Sequence, residues 1–220
     1  MRQLTLFLMT PIIFILFFAV AFIQLGGYVQ SERILPFDYA IIQVVQGWEQ
    51  PWLTNVMLTF TTIGDAWTVV LFSVVMTLAL YRYRQTPQLI LFVTTIIGNA
   101  LLNTLLKHSY TRERPLIHRL TEIGGFSFPS GHTMMALSFY FLVAYVLWQY
   151  IHTIKSGIFL FTFALFMTSA IAISRIYLGV HYPSDIIGGL FASSALLLAT
   201  TTVYRLYQKR IEKQFEHSQL

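Results

Sequence analysis

The chain contains no cysteine. That excludes a disulfide framework, a thiolate nucleophile and a thiolate-ligated zinc or iron–sulfur centre, and it leaves the redox compartment open. Charge is also scarce: Asp, Glu, Lys and Arg make up 10% of the 220 residues and hydrophobic residues 56%. Mean hydropathy is +0.65. Soluble globular domains carry roughly 25% charged residues, so this composition points to a membrane protein. The net charge of +5 is not gathered in a basic arm or a long basic run, and nucleic acid is not expected as a partner. Internal repeats, low-complexity tracts and linkers rich in Pro, Gly or Ser are missing too, so residues 1–220 are read as a single domain.

What the chain does have is apolar length. A helix needs about 20 residues to cross roughly 30 Å of hydrocarbon. Six stretches approach that length: Leu4–Leu25, Ala66–Tyr81, Gln88–Leu106, Gly131–Tyr150, Gly157–Ile173 and Ile186–Tyr204. The expected fold is all-α, a bundle of six transmembrane helices. Ala66–Tyr81 is short, and the apolar Trp52–Ile63 before it predicts one bent span, broken near Gly64 and Asp65. Phe37, Ile41, Val44, Val45 and Trp48 recur at helical spacing, with Asp38, Gln43, Gln46 and Glu49 among them. That pattern predicts an amphipathic helix on the external bilayer surface between the first two spans.

Arg2 and Ala19-Val20-Ala21 imitate a secretory leader, but the apolar run continues past Ala21, so an uncleaved anchor is expected. Lys and Arg in the connections set the orientation. Arg2, Arg82, Arg84, Lys155, Arg205, Lys209, Arg210 and Lys213 would share the cytoplasmic side with both termini. Arg33, Arg112 and Arg119 fall on the opposite side, together with Lys107, Arg114 and Arg175.

Charged residues near membrane spans point to function, because insertion costs about 2.5 kcal/mol or more for each buried Arg, Lys or Asp. Asn99, Asn103 and Lys107 are spaced by four and share one helical face, and Arg114-Pro115 follow where the chain leaves the helix. Alone, these cations read more plainly as side chains reaching for headgroups. Pro129-Ser130-Gly131-His132 opens the fourth span, where Ser130 can cap the helix and the free amides of the first turn suit a phosphoryl oxygen. An ordinary capped start with a solvated His132 fits equally well. Ser174-Arg175 ends the fifth span, and His181 and Asp185 follow four residues apart. A carboxylate at that spacing can accept the imidazole N–H, fix the tautomer and leave the other nitrogen free to attack. A structural ion pair between Arg175 and Asp185 is the alternative.

Taken together, the segments Lys107…Arg114-Pro115, Pro129-Ser130-Gly131-His132 and Ser174-Arg175…His181…Asp185 resemble the signature of the type-2 phosphatidic acid phosphatases at every position. The motif core covers residues 107–189. The resemblance implies an integral membrane lipid phosphatase in which His181 attacks phosphorus, Asp185 orients it and His132 protonates the leaving oxygen. It further implies that Lys107, Arg114, Arg175, Ser130 and the Gly131 amide hold the nonbridging oxygens. No cofactor and no metal are expected, since fixed cations can neutralise a phosphoryl transition state and Asp185 is the one acid at a signature position, with Glu113 and Glu122 in the adjoining loop. The implied substrate is a membrane lipid phosphate or diphosphate: undecaprenyl diphosphate, phosphatidylglycerol phosphate or phosphatidic acid. A phosphotransferase that passes the phosphoryl group to an alcohol, and a non-catalytic lipid-phosphate binder or flippase, are the competing readings. A binder would need neither histidine nor Asp185.

Overall fold

The computed structural model describes residues 2–116 and 118–218, and all regular structure among them is helical. The side chains of Arg2 and Lys213, used above to orient the chain, lie outside the described residues. The eight helices are α1 (Arg2–Gln30), α2 (Leu35–Gln46), α3 (Pro51–Ile63), α4 (Ala66–Arg82), α5 (Thr86–Tyr110), α6 (Gly131–Ile151), α7 (Ile154–Tyr177) and α8 (Pro183–Ser218). Proline sits in the first turn of α2, α3 and α5, where its missing N–H costs nothing. Ser130 and Thr153 cap α6 and α7 through their hydroxyls.

Among the described residues five helices are long and apolar enough to cross a membrane, and the bent pair α3 and α4, taken as one span, makes a sixth. The pair turns through 49° at Gly64-Asp65, at the predicted break. The first span runs Met9–Gln30, so it ends beyond Leu25, where the sequence suggested it would stop. Gly26 lies against the Tyr110 ring, and the missing side chain lets α1 continue past α5.

Side chains divide as a bilayer requires. Trp67, Leu71, Leu105 and Ile154 face outward, while Val69, Phe92, Leu142 and Val146 fill one core cluster between α4, α5 and α6. A second cluster, with Ile42, Val45, Ile176, Tyr177, Leu178 and Ile186, lies where α2 packs on α7 and α8. Tyr177 ties α7 to α3 through a 2.8 Å bond to Thr54. The predicted helix between the first two spans is thus present as α2, and its inner side carries Asp38 as well as Ile42 and Val45.

Candidate active site

The C-terminal ends of α5 and α7 and the N-terminal ends of α6 and α8 meet at one end of the bundle, and these ends and the connections between them carry every motif residue. His181 lies in the turn between α7 and α8, 1% exposed. Its Nδ1 faces Asp185 Oδ2 at 3.2 Å, as the four-residue spacing predicted. Asp185 is held in turn by the Tyr182 amide at 2.8 Å. The other ring nitrogen, Nε2, is 3.2 Å from Arg114 Nη1. A guanidinium can only donate, so Nε2 is an acceptor and the ring proton sits on Nδ1. Burial, then the charges of Arg114, Arg175, Lys107 and His132, hold the imidazole protonation well below its ordinary value. His181 is therefore a neutral imidazole with its lone pair on Nε2. That four motif side chains act on it shows that the three motifs converge.

A buried neutral histidine carries a pH signature. Below about pH 6.5 the unfolded chain takes up a proton that the folded chain refuses, so stability falls as pH drops from there toward the depressed folded value. Thermal unfolding in detergent between pH 7 and 5 should show this decline, and His181→Ala should flatten part of it. An unchanged slope in the variant would show that His181 is not held neutral.

Around His181 the cations differ in what they touch. Arg175 is 1% exposed, its Nη1 donates to the Thr61 hydroxyl, and its buried Nε and Nη2 meet no acceptor. Buried donors without partners are costly in an apolar setting, and a guanidinium edge of this kind matches two oxygens of an anion. Arg114 donates to the carbonyls of Gly124, Gly125, Phe126 and Val180, so it also shapes the loop before α6. Lys107 is half-buried on α5. The Ser130 amide donates to the Asp185 carbonyl at 3.0 Å, which pins the starts of α6 and α8 together. Gly131 follows at the first position of α6, where amides lack intrahelical partners. His132 Nε2 meets Asp65 Oδ1 at 2.7 Å.

Arg112, expected from sequence only as a charge on the side opposite the termini, is part of the site. Arg112 Nη1 donates to Asp185 Oδ1 and Nη2 to Asp38 Oδ2, both at 2.7 Å, with both carboxylates 0% exposed. Asp38 also accepts the Ser184 amide at 2.8 Å and the Ser184 hydroxyl at 2.6 Å. The guanidinium lies 3.9 Å over the Tyr182 ring. Asp185 therefore pairs with Arg112; the ion pair considered with Arg175 does not form. A buried charge needs a partner, and Arg112 supplies one to each acid, while Arg175 bonds Thr61. Asp38, Thr61 and Arg112 are site-lining residues without a site role in the sequence reading, and Asp65, read there as a helix cap or break, also reaches the site. The signals available were Asp38 on the amphipathic α2 and Asp65 beside Gly64 at the break.

Residues 87–210 match the PAP2 superfamily model. Phosphatidylglycerophosphatase B of Bacillus subtilis (strain 168) is 32% identical over 86% of this chain and 90% of its own. A protein of Escherichia coli (strain K12) provisionally named undecaprenyl-diphosphatase YbjG is 30% identical over 72% of this chain and 80% of its own. The crystal structure of the transmembrane PAP2 type phosphatidylglycerolphosphate phosphatase from Bacillus subtilis superposes with a TM-score of 0.78. The match is at 29% identity and covers 91% of this chain and 96% of that one. With the three signature segments gathered at one end of a multi-span helical bundle, these matches make the chain a member of the PAP2 superfamily and a lipid phosphatase of the membrane.

Proposed function

We propose that the enzyme hydrolyses a lipid phosphate or diphosphate at the external membrane face through a phosphohistidine intermediate. The observation that carries this reading is His181: a buried neutral imidazole, its tautomer fixed by Asp185, with Nε2 among Lys107, Arg114 and Arg175. In the first step Nε2 attacks phosphorus and the bond to the leaving oxygen breaks, with His132 giving that oxygen a proton. In the second, water attacks the phosphohistidine, His132 takes the water's proton, and inorganic phosphate leaves. Arg175 Nε and Nη2, Lys107 and the start of α6 at Ser130 and Gly131 supply donors for the equatorial oxygens. Arg114 Nη1, which meets Nε2 here, can turn to the phosphate as it arrives.

The external placement rests on charge. Arg82, Arg84, Lys155 and Arg205 lie at the helix ends opposite the site, and a cytoplasmic surface favours such residues. A site at headgroup level among apolar helices suits a lipid whose tails stay in the bilayer. Phosphatidylglycerol phosphate is the first substrate to test, on the near full-length likeness to the Bacillus enzyme, and undecaprenyl diphosphate is second, on the likeness to YbjG. Phosphatidic acid completes the set.

Phosphate release by purified protein in detergent with EDTA, across those three lipids, tests the reading. Release is expected to persist in EDTA, because among the described residues no three His, Asp or Glu gather as a metal-ligand set. Vanadate, which mimics pentacoordinate phosphorus, should inhibit at concentrations well below those of inorganic phosphate. Loss of activity in EDTA that added Mg²⁺ restores would overturn the metal-free mechanism.

A further inference from the structure

Asp65 opens α4 in the extended conformation usual for a capping residue (φ −64°, ψ 149°), yet its side chain makes no cap bond to its own helix. It turns instead toward α6 and meets His132 Nε2 at 2.7 Å. A Cβ on Gly64 would lie 2.6 Å from Ile171 Cγ2, so glycine lets the end of α3 sit close against α7, and the same point is 3.4 Å from His132 Cδ2, which places the break beside the His132 ring. Thr68 Oγ1 bonds back to the Thr62 carbonyl at 2.7 Å and braces the turn from the other side.

The two histidines are anchored in opposite senses. Asp185 holds His181 through Nδ1 and presents Nε2, whereas Asp65 holds His132 through Nε2 and leaves Nδ1. We propose that Asp65 is a positioning residue for the acid–base histidine, keeping the proton on Nε2 so that Nδ1 alone exchanges protons with the reacting oxygens. This rests on the phosphatase mechanism proposed above.

In the first step His132, protonated once the phosphate anion offsets the neighbouring cations, gives its Nδ1 proton to the leaving oxygen as the electron pair of the P–O bond moves there. The ring is left neutral with Nε2–H still donated to Asp65 and a lone pair on Nδ1. That lone pair accepts the proton of the water that opens the phosphohistidine, and the cycle closes with no net change at Asp65. Without Asp65 the neutral ring can carry its proton on either nitrogen, and the Nδ1–H form cannot act as base.

The test compares full-length wild type, Asp65→Ala, Asp65→Asn, His132→Ala and the double variant Asp65→Ala/His132→Ala. One substrate is a long-chain alkyl phosphate, whose alkoxide needs protonation. The other is a nitrophenyl phosphate carrying an alkyl tail, whose leaving group needs little. His132→Ala should lose on the order of 10²-fold or more on the alkyl ester and much less on the aryl ester. Asp65→Ala should show the same bias at roughly 10- to 100-fold, in kcat more than KM, and the double variant should be no slower than His132→Ala. Asp65→Asn, whose amide oxygen still accepts Nε2–H, should recover most of the loss.

Equal losses on both esters in Asp65→Ala, additive losses in the double variant, or no recovery by Asn would each overturn the positioning role. Equal losses in His132→Ala itself would instead sink the general-acid mechanism, and this inference with it.

Discussion

His181→Ala is expected to stop phosphate release from every lipid substrate, by about 10⁴-fold or more, in a protein that still folds. The size follows from chemistry: with no Nε2 there is no phosphohistidine, and nothing in the site offers a second nucleophile at that position. The mild effect on folding follows from what is left behind. Asp185 keeps Arg112 at 2.7 Å and the Tyr182 amide at 2.8 Å, so its buried charge does not lose its partners. The cost should be about 1–3 kcal/mol from the lost side chain and its hydrogen bonds, visible as a modest drop in melting temperature. Vanadate should still protect the variant against thermal unfolding, because the Arg175 donors remain. The same protein would then bind the anion and fail to turn it over. Full activity in His181→Ala would refute the mechanism and favour the non-catalytic binder or a different nucleophile.

Arg112→Ala is expected to damage both stability and turnover. Two carboxylates, each 0% exposed, share this one guanidinium. Removing one partner of a buried ion pair costs about 3–5 kcal/mol, which in a chain of this size lowers the melting temperature by roughly 6–20 °C. Turnover should fall as well, since Asp185 loses the bond that fixes it against His181. Arg112→Lys restores a charge but not the fork, so it can serve one acid and not both. Arg112→Ala combined with Asp38→Asn should recover part of the stability, because one buried charge has been removed, with little gain in kcat. Unfolding curves in one detergent, paired with kcat on one lipid, separate the two effects. A melting temperature unchanged in Arg112→Ala would show that the pairs contribute little.

The parts of this site that could be read from sequence are those in which partners lie within one helical turn or one motif. His181 and Asp185 are four apart, and Ser130 caps the helix that begins at the next residue. The break at Gly64-Asp65 was legible because glycine beside a capping residue interrupts an apolar run. The missed contacts all cross long stretches of chain. Arg112 reaches Asp38 and Asp185 across 74 and 73 residues, and Asp65 reaches His132 across 67. Helical periodicity carries no information at such separations, where partner choice is settled by which helices pack side by side. Arg112 falls at the site end, with the charges expected there, but its role was not legible, because the loop after α5 folds back between α2 and α8 and commits the guanidinium to buried carboxylates.

The tether from α2 through Arg112 to Asp185 also bears on modularity. Every signature residue lies between Lys107 and Asp185, which invites treating that third of the chain as a transplantable phosphatase cassette. The bond network says otherwise: Asp38 on α2, Thr61 on α3 and Asp65 at the break each close a contact with Arg112, Arg175 or His132. A cassette grafted without the first three helices would carry the reactive groups and lose the scaffold that aims them. The unit that can be exchanged between relatives without loss of activity is therefore the whole bundle, α2 included.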